Sequence, residues 1–239
     1  MEKVIITLRG TPGDEAWCTG LRTDAAQTLL ESGLAGVAVN VRDDAVTDSL
    51  MTLTTLDPPV VAFVSLWTQQ CYGEQIRTAT ELLAGLCQQV SAYLVTESVP
   101  LPPPPTAPGE RTPGLANVAM LRRPSDLDQA TWLHRWQHDH TQVAIDTQAT
   151  FGYVQNTVVR ALTDDAPVFA AIVEELFPLA ATTDLHAFFG AADDAELSDR
   201  MARMVASTSA FGANRDIDTV PTSRYVLRGP FAPADTLQR

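Results

Sequence analysis

Basic residues are scarce: 16 Lys and Arg stand against 29 Asp and Glu in 239 residues, a formal net charge of −13 with a pI near 4.5. That balance argues against a sequence-independent nucleic-acid binder, whose affinity comes from neutralising phosphates with a basic surface. It equally disfavours docking on anionic lipid. Cysteine is scarce too. Cys18, Cys71 and Cys87 are odd in number and far apart, with no C-x-x-C, so they read as the reduced thiols of a cytoplasmic protein and not as a disulfide framework. No stretch approaches the ~18 consecutive apolar residues of a membrane helix. The apolar run ahead of Arg9 is too short for a signal-peptide core and reads as a first strand. G-x-x-x-x-G-K-S/T, G-x-G-x-x-G after a strand, G-x-S-x-G and H-E-x-x-H are all missing, so phosphate-cradling, dinucleotide-binding and α/β-hydrolase chemistry have no support. What is present is ordinary globular composition, 45% hydrophobic and 19% charged, at a length that allows one large domain or two small ones.

Proline divides the chain. Seven of the 16 prolines fall between Pro100 and Pro113. Pro102 to Pro105 lie in a row, and because proline lacks the N–H and fixes φ, they favour polyproline II over helix or sheet. The expected organisation is a unit at 1–99, a stiff linker at 100–114 and a second unit at 115–239.

Both units predict the same order of elements. In the first, Val4–Arg9 is a strand, and a helix opens at Asp14 with Trp17, Leu21, Ala25, Leu29 and Leu30 at helical spacing and Gly33 to stop it. Strands at Gly36–Arg42 and Val60–Trp67, a helix at Gly73–Leu86 and a strand at Ser91–Thr96 follow. In the second, a strand at Ala116–Leu121 precedes a long helix at Asp126–Thr147, entered by Ser125 as a cap. Then come strands at Tyr153–Leu162 and Val168–Phe177, a helix at Asp193–Ser207 and a strand at Arg224–Arg228. The fold class is α+β: two ferredoxin-like βαββαβ units in one chain, forming a pseudo-dimeric α/β barrel in which each sheet's bare face is buried against the other. Further pairing into a homodimer stays open.

Three of the four histidines lie in Thr131-Trp-Leu-His-Arg-Trp-Gln-His-Asp-His-Thr-Gln-Val-Ala-Ile. At ~100° per residue, Trp132, Trp136, His140 and Val143 share one helical face. Being the broader apolar surface, that face should meet the sheet and carry His140 into an aromatic setting. There the imidazole either does general acid/base work or is a core histidine satisfied by one hydrogen bond. His134 and His138, at i and i+4, could chelate an ion, but Asp139 and Asp146 point elsewhere on an α-helical wheel. Without a third ligand the polar face reads as solvated, and no metal is expected. His186, between Leu185 and two phenylalanines, reads as a packing residue of a lid helix.

The run Trp132-x3-Trp136-x3-His140, followed by Phe151-Gly-Tyr-Val-Gln-Asn-Thr-Val-Val, resembles the EthD family. These are small α+β proteins that pair into dimeric α/β barrels. The resemblance covers residues 115–230, and Gln142 stands where the family often has Pro. It implies a polar strand with Tyr153 and Gln155, and an acidic residue on the third strand, which falls on Glu174. The first unit matches in layout alone: Leu21 and Ala25 stand at the Trp and His steps, and Val37-Ala-Val-Asn stands for Tyr153-Val-Gln-Asn. This implies a tandem copy with a degenerate first half and one pocket in the second. Tyr153 and Gln155 alternate onto one strand face. In the functional reading His140, Tyr153 and Glu174 are catalytic, and Trp132, Trp136 and Gln155 bind substrate. In the structural reading Tyr153 is an interface aromatic and Glu174 an exposed strand residue.

What the resemblance implies for function is a cofactor-independent enzyme acting by His-based proton transfer on a small hydrophobic carbonyl or phenolic compound. Polyketide cyclases, lactone isomerases and metal-free monooxygenases share the wider barrel superfamily. The alternative is a non-catalytic binding or accessory protein of an oxidative degradation pathway. Haem binding, known in other branches of the barrel, is the third reading. The partner expected in every case but the last is a small hydrophobic molecule.

Overall fold

The computed structural model describes residues 1–231; residues 232–239, placed above in the second unit, lie outside the described residues. Eight strands form one closed antiparallel barrel in the order β1-β3-β2-β8-β5-β7-β6-β4. They are β1 (Glu2–Arg9), β2 (Gly36–Val41), β3 (Val60–Thr68), β4 (Gln89–Leu101), β5 (Leu115–Leu121), β6 (Gly152–Ala161), β7 (Ala171–Phe177) and β8 (Asp218–Arg228). Read as halves, this is 4-1-3-2 twice, the strand order of a ferredoxin-like unit. β2 of the first unit pairs with β8 and β4 pairs with β6, so each unit lends its edges to the other. The expected pseudo-dimer is present, and its sheets meet edge to edge as well as face to face.

Helix α1 runs through Glu15–Gly20, a π-helical stretch Leu21–Ala25 and Ala26–Glu31. Helix α2 spans Glu74–Ala84. In the second unit α3 repeats the first helix: Gln129–Leu133, π-helical His134–His140, then Thr141–Thr147. A short α4 (Leu185–Phe189) and a long α5 (Asp194–Phe211) complete the set. None of these helices is long and apolar enough to cross a membrane.

Several boundaries differ from expectation for local reasons. Ser125 does not cap α3; Asp128 does, accepting from the Thr131 amide, so the helix starts three residues later than Asp126. Val168 is almost fully exposed, and β7 begins only at Ala171. Strand β4 continues past Thr96 as far as Leu101, opposite Tyr153, and so runs into the first proline. The rest of the proline-rich segment is tied down: Gly109 and Thr112 amides donate to the Val226 and Arg224 carbonyls at 2.8 Å each.

Side chains of alternate parity divide the core. Ile5, Phe63, Tyr93, Val118, Met120, Ile172 and Val220 pack together inside the barrel. The opposite parity of the first unit is apolar along the middle of its strands: Val4, Ile6 and Leu8; Val37, Val39 and Val41; Ala62, Val64 and Leu66. These pack under α1 and α2 as one continuous cluster. In the second unit the same layer is split into two clusters. That split is where the site lies.

Candidate functional site

The layer under α3, α4 and α5 holds polar side chains that the first unit lacks. Asn117, Glu175 and Tyr153 stand in one row across β5, β7 and β6, with Glu175 opposite both its neighbours. They border a cavity of about 380 Å³ lined otherwise mostly by apolar groups, among them Leu121, Val173, Phe188 and Phe211. That volume suits a small ligand.

The π turn of α3 sets the wall facing this row. Residues spaced by four drift ~40° per step on an α-helix, so Trp132 and Ala144 would end up ~120° apart. The wider π turn absorbs most of that drift. Trp132, Trp136, His140 and Ala144 are accordingly all buried, and Ala144 replaces Val143 as the next inward residue. The first unit uses the same device, which buries Leu21, Ala25 and Leu29.

Each proposed site residue has a definite place. Trp136 and His140 line the cavity. His140 Nδ1 is 2.9 Å from Ser207 Oγ on α5, and its ring packs on Phe211 at 4.9 Å. Burial lowers its pKa to about 4, so the imidazole is neutral at pH 7. Tyr153 borders the cavity, and burial raises its phenol well above the usual range, so it remains a donor. Gln155 faces α3 but is not in the lining; its Nε2 donates to Thr141 Oγ1 at 2.8 Å and ties β6 to the π turn. Trp132 stands behind Trp136, rings 5.0 Å apart, with Nε1 donating to the Phe211 carbonyl, and it too is outside the lining.

Glu174 is not in the site. It has the parity of Ile172 and points into the barrel, where it pairs with Arg224 Nε at 2.7 Å. Its neighbour Glu175 holds the place expected for it. Because Ala171–Phe177 is apolar on both faces, alternation in the sequence cannot tell which glutamate faces the helices. The Glu175 side chain is half-buried and borders the cavity. Desolvation pushes its carboxyl up to about 7.

Two further features had no signature in the sequence. The segment 42–59, between β2 and β3 of the first unit, crosses to the second: Leu53 exchanges backbone hydrogen bonds with Thr219, and Leu50 donates to the Thr182 carbonyl. It places Leu50, Met51 and Leu53 in the cavity wall. Asp139 also departs from expectation, folding back to His138 Nδ1 at 3.0 Å. Five residues make roughly one turn of a π-helix, which brings Asp139 beside the pair of histidines.

Among the described residues, three buried side-chain polar atoms of the lining lack a hydrogen-bond partner: Trp136 Nε1, Asn117 Oδ1 and Gln148 Oε1. Such atoms are costly unless something satisfies them. Haem does not fit this lining: among the described residues no Lys or Arg borders the cavity to meet propionates, and Glu175 would add a further negative charge beside them.

No protein-family profile matches the chain, and no curated protein matches its sequence. Among solved structures, an anthrone oxidase-like protein aligns with TM-score 0.56 at 10% identity, covering 98% of this chain and 96% of that one. A chlorite dismutase variant from Candidatus Nitrospira defluvii aligns at TM-score 0.47 and 10% identity over 95% and 92% of the two chains, too loosely to carry an argument. The fold is that of the dimeric α+β barrels, with both units supplied by one chain.

Proposed function

We propose that the chain is an enzyme that binds a small, largely apolar carbonyl or phenolic compound and moves a proton on it, with Glu175 as the proton-transfer group. The observation that carries this reading is a carboxyl with pKa about 7 bordering an otherwise mostly apolar cavity, between Asn117 and Tyr153. A base poised near the working pH gives the best product of ionised fraction and driving force. Glu175 as carboxylate takes a proton from an acidic C–H or O–H. The oxyanion left on the substrate accepts from the Tyr153 hydroxyl or the unpartnered Trp136 N–H, and the protonated carboxyl returns the proton elsewhere on the ligand. His140, neutral and held by Ser207, is a positioning wall residue in this scheme and not the base. The combined Trp136/His140 and Tyr153-Val-Gln-Asn pattern supports an EthD-like origin for the second unit. The shared fold with an anthrone oxidase-like protein supports the substrate class, since an anthrone is a planar aromatic ketone with an acidic methylene.

The test is anaerobic H/D exchange at the methylene of anthrone in buffered D2O with the full chain. Exchange should be accelerated, with a single rising limb in kcat/KM near pH 7, and that limb should vanish in Glu175→Gln. Exchange at the buffer rate, together with no binding of anthrone, would remove this assignment. Saturable binding with no exchange would favour a non-catalytic carrier instead.

A further inference from the structure

The π turn of α3 has an outer face as well as an inner one. On it His134, His138 and Asp139 stand exposed, with one ligating atom from each within 4.8 Å of the others. Asp139 Oδ1 is 3.0 Å from His138 Nδ1 and 3.5 Å from His134 Nε2, and the two imidazoles stack with centroids 4.6 Å apart. A tetrahedral ion with bonds of about 2.0–2.2 Å to imidazole nitrogen and carboxylate oxygen has ligand-to-ligand edges of about 3.3–3.5 Å. Two of the three edges are therefore already formed to within a few tenths of an ångström. Rotation of one solvent-exposed ring out of the stack closes the third.

We propose that His134, His138 and Asp139 bind a divalent transition-metal ion, Zn2+ or Cu2+ in preference to Mg2+ or Ca2+. Two imidazoles and one carboxylate suit ions of intermediate softness, whereas Mg2+ and Ca2+ require oxygen shells. Water fills the remaining positions. The ligands are exposed, so the ion enters without opening the fold, and the net charge of −13 concentrates cations near the surface. On an α-helix Asp139 would stand ~140° around the axis from His134, leaving only the pair. The three-ligand site thus exists only while the turn is π-helical, and an ion bound there favours that form of the turn. The inner face of the same turn carries Trp136 and His140, so the ion would stiffen one wall of the cavity. The metal site itself does not depend on the function proposed for that cavity.

Metal-free, untagged full chain titrated calorimetrically with Zn2+ at about pH 7.5 should take up one equivalent. Asp139→Asn should weaken binding about tenfold or more. The double variant His134→Ala/His138→Ala should lose it, while His186→Ala, which breaks an exposed His–Asp pair elsewhere, should leave it unchanged. All three ligands are exposed, so the variants should keep the parent's unfolding midpoint. On the unaltered protein, the paramagnetic resonance spectrum of one bound Cu2+ should show coupling to two imidazole nitrogens. Absence of saturable Zn2+ binding below ~1 mM, equal binding by the double variant, or a Cu2+ spectrum without nitrogen coupling would overturn the proposal.

Discussion

Two adjacent glutamates on β7 have opposite destinations, Glu174 inside the barrel and Glu175 at the cavity. The Glu175 carboxyl is raised from 4.5 to about 7, so the folded chain binds more protons than the unfolded one between those values. Stability contributed by this group falls as pH rises through that window, and the penalty is complete above it. His140 runs the other way: with its pKa lowered from 6.5 to about 4, the unfolded chain binds more protons in that interval, and stability rises with pH across it. Glu175→Gln should therefore unfold at higher denaturant than the parent at about pH 8, by on the order of 1–3 kcal/mol, with little difference near pH 4. The same change should lower turnover by about 10²–10⁴-fold. Glu174→Gln should do the reverse, leaving Arg224 without its carboxylate partner inside the barrel at a cost of about 1–3 kcal/mol while turnover per folded molecule is unchanged. Denaturant curves at both pH values and the pH–rate profile of each variant check this. Loss of the limb near pH 7 in Glu174→Gln would reverse the assignment.

At the scale of elements, the feature with most consequence is the segment 42–59. It belongs to the unit without polar site residues, yet Leu50, Met51 and Leu53 complete the other unit's cavity. The first unit is thus more than a scaffold. Leu53 is about half exposed, and its hydrogen bonds to Thr219 are made by its backbone, so Leu53→Ala should leave the unfolding midpoint nearly unchanged. Loss of its apolar contact with a bound ligand should weaken affinity by on the order of 1 kcal/mol, about fivefold. Fluorescence titration with an aromatic ligand measures this. An unchanged affinity would mean that the segment only passes by.

At the scale of the whole molecule, closure of the barrel makes the halves mutually dependent. Residues 1–99 alone would expose the edges of β2 and β4 and the inward parity that includes Ile5, Phe63 and Tyr93. Open edges and a bare apolar face drive association. That fragment should run as a dimer or aggregate in sedimentation at micromolar concentration. A stable monodisperse monomer would show that the first unit does not need the second.

Much of this architecture is local in origin and could be read from the chain. The order of elements follows from hydrophobic period, Gly33 and the proline-rich break, and its recurrence gives the plan of two like units. The inward face of Trp132, Trp136 and His140 was legible because spacing by four on a buried helix admits few alternatives. Which glutamate serves the cavity was not legible, because a strand buried on both sides carries no alternation to show its parity. The place of Asp139 was missed because α-helical geometry was assumed, and a π turn leaves no mark in composition. The contribution of Leu50 and Leu53 was missed because it depends on contact between residues more than a hundred positions apart. The titration of His140 and Glu175 was likewise decided by the fold alone, since desolvation exists only once the layers have closed over them.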